Sequence, residues 1–225
     1  MSHRLGLAEL SQRFRDQASN LTIQIASLLQ GGVLSAAAFS LIAVLQVHDQ
    51  MDVRIILWLN FVVISLISFF QLCQRSLLIV HAGLEVTLML PLMALFQIIP
   101  FAILSSNGLG ADGWRYWYVA DTLVFAAGLT ASWLSLRSLK PDYYDADAAP
   151  VFAAARTAFR RGCLESLAAT LLTLGLTVWI LAMPRNWPYA TVFVSAHLAL
   201  TVASGALIIW REGRDTASLL ARIAT

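Results

Sequence analysis

Four ionisable side chains fall inside long apolar runs of this sequence. They are His81, Glu85, Asp121 and His197. A charged group at the centre of a membrane helix costs about 2.5 to 3.5 kcal/mol on insertion scales, so such groups face the bundle interior, find a partner or serve a function. Spaced across a membrane and bridged by water, these four side chains would form a path for protons or ions.

His81 and Glu85 lie one helical turn apart near the start of the third apolar run. The stripe continues at four-residue steps through Met89, Met93 and Gln97, and residues with this spacing share one face of a helix. We expect this face to line a polar crevice. The alternative is that His81 and Glu85 bond each other near the lipid headgroups while the methionines pack.

His197 lies eight residues past Tyr189 in the last apolar run, which places it near the bilayer midplane. Thr201 and Gly205 follow at i+4 and i+8, so we expect His197 to face protein rather than lipid. It could accept a proton if a carboxylate stood nearby. The alternative is a neutral histidine that is hydrogen-bonded across a helix interface.

Asp121 lies one to two turns below the predicted outer boundary of the fourth run. We expect it to pair with Arg115 or Arg185 at the rim, or to reach His197 if the fourth and sixth spans adjoin.

Other polar side chains within the runs have plainer roles. Glu165 is expected to form a local ion pair with Arg160 and Arg161 at the start of the fifth span. Four amides of the first two spans are expected to donate hydrogen bonds between helices: Gln24, Gln30, Asn60 and Gln71.

The elements that position these side chains must be transmembrane helices. Of 225 residues, 59% are hydrophobic and 12% are charged, and the mean hydropathy is +0.72, against roughly 45 to 50% and about 25% in soluble domains. About 20 apolar residues in a helix cross a bilayer core of about 30 Å, and a helix satisfies its own backbone there. The composition excludes a disordered chain, a disulfide scaffold, a nucleic-acid-binding domain and a typical cytosolic enzyme.

The fold class predicted is an all-α membrane protein, a six-span bundle with an N-terminal amphipathic helix and both termini cytoplasmic. The spans cover about 23–45, 55–73, 77–104, 116–136, 163–183 and 189–210. The remaining segments are the N-terminal helix (1–20), a cytoplasmic loop with an interfacial helix (137–162) and a cytoplasmic tail (211–225).

Orientation follows from the basic residues, because cytoplasmic flanks accumulate Lys and Arg. Of the 15 basic residues, only Arg54, Arg115 and Arg185 fall on the side opposite the termini. A multi-pass protein of the bacterial inner membrane fits this pattern. Seven aromatic residues fall at predicted outer boundaries, as an interfacial belt would: Trp58, Trp114, Tyr116, Trp117, Tyr118, Trp187 and Tyr189.

Two segments outside the spans leave alternatives open. Leu7, Leu10 and Phe14 suit a helix on the inner leaflet, although a solvated helix, or a signal peptide cleaved near residues 36–38, would also fit. Asp145 and Asp147 suit a metal or partner site, or ordinary loop solubility.

Two ridges of small residues allow close approach of another helix. One holds Gly32, Ala36 and Ser40, and the other holds Ser195, Ala199 and Ala203. Either ridge would serve inside the bundle or between protomers.

The sequence contains no catalytic motif and no metal-ligand spacing, so we expect no enzyme activity, cofactor or metal. The function that fits best is a small channel or a proton/ion-coupled transporter. The alternative is a non-catalytic membrane subunit or a pore-forming effector that docks a partner through its basic cytoplasmic face. The expected partners are the lipid bilayer, a second copy of the chain, or a cytoplasmic or membrane protein, and not nucleic acid.

Overall fold

Six α-helices form a bundle in the computed structural model, which describes residues 7–46, 50–76, 84–143, 148–184 and 187–223, with side chains from residue 23 in the first helix and residue 89 in the third. The helices are α1 (Leu7–Gln46), α2 (Met51–Ser76), α3 (Leu84–Ser105), α4 (Gly113–Ser138), α5 (Ala149–Ala182) and α6 (Ala190–Ile223). Short 3-10 helices span Asn107–Asp112 and Pro141–Tyr143.

The predicted all-α membrane bundle is confirmed. Five helices are long and apolar enough to cross a membrane, over Ile23–Gln46, Met51–Arg75, Gly113–Ser138, Ala149–Ala182 and Ala190–Asp215, and α3 contributes the shorter apolar segment Met89–Ser105. Helix α5 is continuous from the predicted loop helix into the predicted fifth span, and α6 continues through most of the predicted tail.

Two buried arginines organise one end of the bundle by capping neighbouring helices. Arg54, near the start of α2, donates a hydrogen bond of 2.5 Å to the carbonyl of Leu104 at the end of α3. Arg115, near the start of α4, donates to the carbonyls of Ile180 (2.7 Å) and Met183 (2.8 Å) at the end of α5. The last carbonyls of a helix lack intrahelical partners, and a cation satisfies both them and the helix dipole. We call this the Arg54 end.

Ion pairs connect α2, α5 and α6 at the opposite end, which we call the Arg75 end. Arg75 Nη2 lies 2.9 Å from Glu212 Oε1 and 3.7 Å from Glu165 Oε2. Glu165 also accepts a hydrogen bond from Arg211. Near the other end of α2, Trp58 donates to the carbonyl of Ala37 in the second half of α1 (3.0 Å). The helices therefore alternate in direction, and α1 begins and α6 ends at the Arg75 end.

The local ion pair expected for Glu165 is wrong. Glu165 pairs across the bundle with Arg211 rather than with Arg160 or Arg161, and Arg161 lies 2.7 Å from Asp215 of α6. The cause is the length of α6, whose helical extension past the apolar run brings these two charged residues alongside the first turns of α5.

Helix α2 is the centre of the bundle, because it packs against all five other helices. Helix α6 packs chiefly against α2, whereas α4 packs chiefly against α5 and α3. Lipid is as apolar as the core, so van der Waals fit and hydrogen bonds, rather than the hydrophobic effect, hold such helices together. Because α5 packs chiefly against α4 and α6 packs chiefly against α2, α5 and α6 touch sparingly and leave space between them.

The ridge predicted on α1 is displaced by one position from the face that packs. The buried residues of α1 are Ala26, Gln30, Val33, Ala37, Ser40 and Val44, at alternating steps of three and four. Ser40 belongs to this stripe, Ala36 is half-buried and Gly32 is exposed with open space beside it. The offset arises because a helix repeats every 3.6 residues, so a strict four-residue ridge drifts off the packed face.

The ridge predicted on α6 does not pack against the helices that the structure describes. Ser195, Ala199 and Ala203 are all exposed. The buried stripe of α6 includes Gly205, where an added Cβ would collide with the side chain of Ile67 in α2. The absence of a side chain at Gly205 lets α2 approach the Gly205 face of α6. The ridge of Ser195, Ala199 and Ala203 therefore faces away from α2.

We expect Gly205→Leu to destabilise the protein by about 1 to 3 kcal/mol, the usual cost of overpacking, because a Cβ at this position would lie within 3 Å of the Ile67 side chain and force it to shift. The matched control is Gly213→Leu in the same helix, where an added Cβ meets nothing within 4 Å. Thermal unfolding in detergent, followed by tryptophan fluorescence, measures the difference. Equal melting temperatures for the two variants would contradict this account of α6 packing.

Candidate functional site

Buried aromatic side chains fill the bundle between its centre and the Arg54 end. Trp114, Trp117 and Tyr118 of α4 are 0 to 1% exposed. Phe61 of α2 contacts Trp117 edge-on, with ring centroids 6.1 Å apart, and contacts Phe101 of α3 at 5.1 Å. The prediction that Trp114, Trp117 and Tyr118 belong to an interfacial belt is therefore wrong. We call this set of five residues the aromatic layer.

A hydrogen-bonded cluster lies next to the aromatic layer and joins α2, α4 and α6. His197 Nδ1 lies 3.2 Å from Asn60 Nδ2 and 3.2 Å from the Tyr118 hydroxyl. The rings of Tyr118 and His197 stack, with centroids 5.5 Å apart and an interplanar angle of 21°. If Nε2 carries the ring proton, Nδ1 accepts from both neighbours; a proton added at Nδ1 would instead be donated to the tyrosine oxygen.

Two threonines fix the backbone of α4 at Tyr118. Its carbonyl accepts hydrogen bonds from Thr122 Oγ1 (2.8 Å) and from Thr177 Oγ1 of α5 (2.9 Å). The two hydroxyl oxygens are also 3.0 Å apart. These bonds join α5 to the same turn of α4 that presents its phenol to His197.

Asp121 lies one turn after Tyr118 on the same face of α4. Its side chain is 0% exposed, and neither carboxyl oxygen has a hydrogen-bond partner among the described residues. An unpaired carboxylate is costly in a low-dielectric interior, so a bound proton or another cation would stabilise this group.

The rim pairing expected for Asp121 does not form with Arg115. Arg115 is held by Asp112, 3.2 Å away, and by the carbonyls at the end of α5. The other candidate, Arg185, lies outside the described residues. The helix end attracts the guanidinium because its carbonyls would otherwise be unsatisfied.

A cavity of about 200 Å³ separates α5 from α6 and reaches from the ion pairs to His197. We call it the α6 cavity. Its wall includes Arg75 and Glu165 near the Arg75 end, and Thr201 and His197 deeper in the bundle. Aromatic contacts among Trp179, Trp187 and Phe193 join α5 and α6 on the far side of His197.

A second cavity, of about 180 Å³, is lined by residues of α1, α2, α3, α4 and α5. It adjoins the α6 cavity, because both are lined by Ser68, Gln71, Arg75, Phe125 and Ser166. We call it the α3 cavity. Met89, Met93 and Gln97 line it, so the predicted stripe does border a crevice. Glu85 belongs to the first turn of α3, but its side chain lies outside the described set, and His81 lies outside the described residues altogether.

The four candidate path residues therefore separate into two groups. His197 bonds and stacks on Tyr118, and Asp121 lies one turn after Tyr118 on α4 without a hydrogen bond to either residue. The placement of His81 and Glu85 relative to them is not described. The sequence placed Tyr118 only in the interfacial belt at the outer boundary. Its three-residue spacing from Asp121 nevertheless indicated that the two side chains share one face of a helix. Asn60 and Gln71 bond other helices as expected, through His197 and Glu212 (3.3 Å), whereas Gln24 is exposed.

Metal binding has no support from the described part of the chain, where no group of three or more His, Cys, Asp or Glu side chains could hold an ion. Comparison with protein-family models, with curated proteins and with solved structures finds no match to this chain.

Proposed function

We propose that this integral, multi-pass membrane protein is a small transporter coupled to protons, with Asp121 as the proton-binding group. The observation that carries the proposal is the complete burial of this carboxyl group without a hydrogen-bond partner among the described residues. Ionisable residues in membrane interiors mark proton relays and ion pathways. A bound proton makes Asp121 neutral, and a released proton leaves a charge that the surrounding helices must move to accommodate.

The α6 cavity supplies a route for the proton. It leads from the Arg75 end to His197, and Tyr118 joins His197 to the turn that holds Asp121. A histidine ring can receive a proton on one nitrogen and release one from the other. His197 and Tyr118 are therefore the proposed relay between the cavity and the carboxyl group.

The aromatic layer favours a transporter over an open channel. Beyond the cluster of His197, Asn60 and Tyr118, side chains that are 0 to 1% exposed fill the bundle, including Phe61 and Trp117. An open channel needs a continuous wet path, whereas a transporter opens its site to one side at a time. We therefore propose that this conformation is open towards the Arg75 end, where Arg75 and Glu165 line the α6 cavity.

We infer that the Arg75 end faces the cytoplasm, as the excess of basic residues on that side requires. A proton gradient of the kind that the bacterial inner membrane maintains would then drive protons towards the cavity. This inference also places both chain termini in the cytoplasm.

Cysteine labelling tests the orientation in a background that lacks Cys73 and Cys163. Leu109→Cys in the first 3-10 helix should react with an impermeant maleimide in intact cells. Asp142→Cys in the second 3-10 helix should react only after permeabilisation. Both native side chains are exposed, so the reverse labelling pattern would overturn the orientation.

Proton movement is measured in vesicles that contain the purified protein and a trapped pH-sensitive dye. An imposed pH gradient should collapse faster in these vesicles than in protein-free vesicles of the same lipid. An acceleration that requires a sodium gradient as well would reassign Asp121 to a metal cation. Equal rates in loaded and protein-free vesicles, over all gradients and candidate solutes tried, would reject proton coupling.

A second candidate, a membrane subunit that assembles with a partner or a second copy, is favoured by the exposed ridge on α6. Ser195, Ala199 and Ala203 face away from the bundle, and small residues at this spacing allow close helix contact. In that case the buried polar cluster would only specify helix pairing. A stable oligomer without proton flux would support this candidate over the first.

A further inference from the structure

We propose that the α6 cavity binds a small, uncharged, mostly apolar molecule that carries a hydrogen-bond acceptor and enters sideways from the bilayer, between α5 and α6. The acceptor bonds His197 at the inner end of the cavity. That this molecule is transported rests on the proposed function, whereas the binding itself does not. The residues that carry the argument, His197, Leu172 and Leu200, line the α6 cavity and not the adjoining α3 cavity.

The α6 cavity opens along the side of the bundle. Ion pairs join α5 to α2 and α6 at the Arg75 end, and the contact of Trp179 with Phe193 joins α5 to α6 on the far side of His197. Between these joins, Leu172 of α5 and Leu200 of α6 line the cavity and are 55% and 57% exposed. Both leucines lie within membrane-crossing helices, so the surface that they expose faces lipid. A molecule dissolved in the bilayer therefore reaches the cavity without passing through water.

The wall of the cavity favours an apolar, uncharged ligand. Further apolar side chains line it, among them Ile64, Ile67, Ala169 and Ile208. The charged residues of the described wall are Arg75 and Glu165, and both have partners on α6: Arg75 lies 2.9 Å from Glu212, and Glu165 accepts a hydrogen bond from Arg211. An unpaired charge in a low-dielectric interior is strongly disfavoured, so a charged ligand would have to break these pairs.

His197 provides a hydrogen-bond donor at the inner end of the cavity. Its Nδ1 lies 3.2 Å from Asn60 Nδ2. An amide nitrogen can only donate, so Nδ1 accepts and the neutral ring carries its hydrogen on Nε2. Nε2 bonds none of the described residues, and unlike Asn60 Oδ1 it is not completely enclosed by the bundle. Because the half-buried ring lines the cavity, its N–H is available to a ligand.

The neighbouring threonine hydroxyls do not offer a second donor. Thr173 Oγ1 donates to the carbonyl of Ala169 (2.9 Å), and Thr201 Oγ1 donates to the carbonyl of His197 (3.0 Å). Their hydrogens are therefore used within their own helices. A donor without a partner in an apolar interior is unfavourable, so a ligand with an acceptor satisfies His197 whereas a plain hydrocarbon does not.

The volume limits the size of the ligand. A cavity of about 200 Å³ is somewhat larger than an engineered cavity of about 150 Å³ that holds benzene. A molecule of about eight to ten non-hydrogen atoms therefore fits. Small aryl ketones combine this size with an apolar body and a single strong acceptor.

Fluorine NMR with the purified protein in lipid nanodiscs tests the proposal. The probe is 4-fluoroacetophenone, and the matched control is 4-fluoroethylbenzene, which has the same ring but no acceptor. Both are compared at equal concentration in the bilayer, with protein-free nanodiscs of the same lipid as the reference. We expect the protein to broaden the ketone signal at least threefold more than the hydrocarbon signal. Equal broadening of the two would indicate a groove that acyl chains fill, and no broadening would indicate no site; either result overturns the proposal.

Variants locate the binding. Ala169→Phe places a ring in the cavity and should reduce the broadening of the ketone at least threefold, whereas Ala168→Phe, at the exposed neighbouring position, should leave it unchanged. His197→Leu should remove the preference for the ketone over the hydrocarbon. Circular dichroism and elution volume confirm folding of each variant. Unchanged broadening of the ketone in the folded Ala169→Phe protein would place the ligand elsewhere and refute the assignment.

These measurements separate the ligand site from proton coupling. Binding is measured without a gradient, and Asp121→Asn should still bind the ketone, because Asp121 is not among the residues that line the cavity. Binding without proton flux would retain the ligand site and reject the proposed function. Proton flux without binding would do the opposite.

Discussion

Replacing Asp121 with asparagine is expected to abolish protein-mediated proton movement in vesicles, a loss of about a hundredfold or more, while the bundle stays folded. Asparagine has nearly the same shape as aspartate but binds no proton. Because the native carboxyl makes no hydrogen bond to the described residues, the substitution breaks no such bond. Dye-loaded vesicles under an imposed pH gradient give the rate.

Asp52→Asn is the matched control, since Asp52 is exposed in the first turn of α2. We expect that variant to move protons at the wild-type rate. Asp121→Glu should retain part of the activity, because it keeps a carboxyl group but shifts its position by one methylene. Wild-type flux in a folded Asp121→Asn protein would show that the buried carboxyl is not the coupling group.

Replacing Arg115 with methionine is expected to cause the largest loss of stability, about 3 kcal/mol or more, because charge-assisted hydrogen bonds contribute about 1.5 to 3 kcal/mol each. Arg115 donates to three carbonyls at the end of α5, those of Ile180, Leu181 and Met183, at 2.6 to 2.8 Å. Methionine fills similar volume and leaves these acceptors unsatisfied. Thermal unfolding in detergent measures the loss.

Two further variants identify the cause of that loss. Arg156→Met removes an exposed arginine of α5 and should leave the melting temperature within error of wild type. Arg115→Lys keeps the charge but not the planar fork of donors, so it should recover only part of the stability. If Arg115→Met and Arg156→Met have the same melting temperature, the capping of α5 by Arg115 contributes little to stability.

Much of the architecture was predictable because the bilayer imposes it. A run of apolar residues long enough to cross lipid must be helical, so the all-α bundle followed from composition and run length. The spacing along one helix was equally informative. The stripe from Met89 through Met93 to Gln97 lines the α3 cavity, and Asn60 bonds another helix.

Errors arose where the answer depended on which helix lies next to which. Asp121 and Arg115 lie on the same helix, yet Arg115 binds the end of α5 and Asp121 is fully buried without a hydrogen-bond partner among the described residues. Glu165 pairs with α6 instead of its own helix. The α5 carbonyl that Arg115 binds and the α6 arginine that Glu165 binds are each more than 40 positions away in the chain.

The sequence by itself determined that the chain enters lipid as helices. It also identified Asp121 and His197 as ionisable groups within apolar runs, where such groups require a partner or a function. Only the tertiary structure decided that His197 bonds Tyr118, that Trp117 is core rather than rim, and that the ridge at Ser195 faces outward. The physical reason is that lipid and protein interiors are equally apolar. Hydrophobicity therefore shows where a helix crosses but not which of its faces meets protein, and the packing and hydrogen bonds between helices settle that choice.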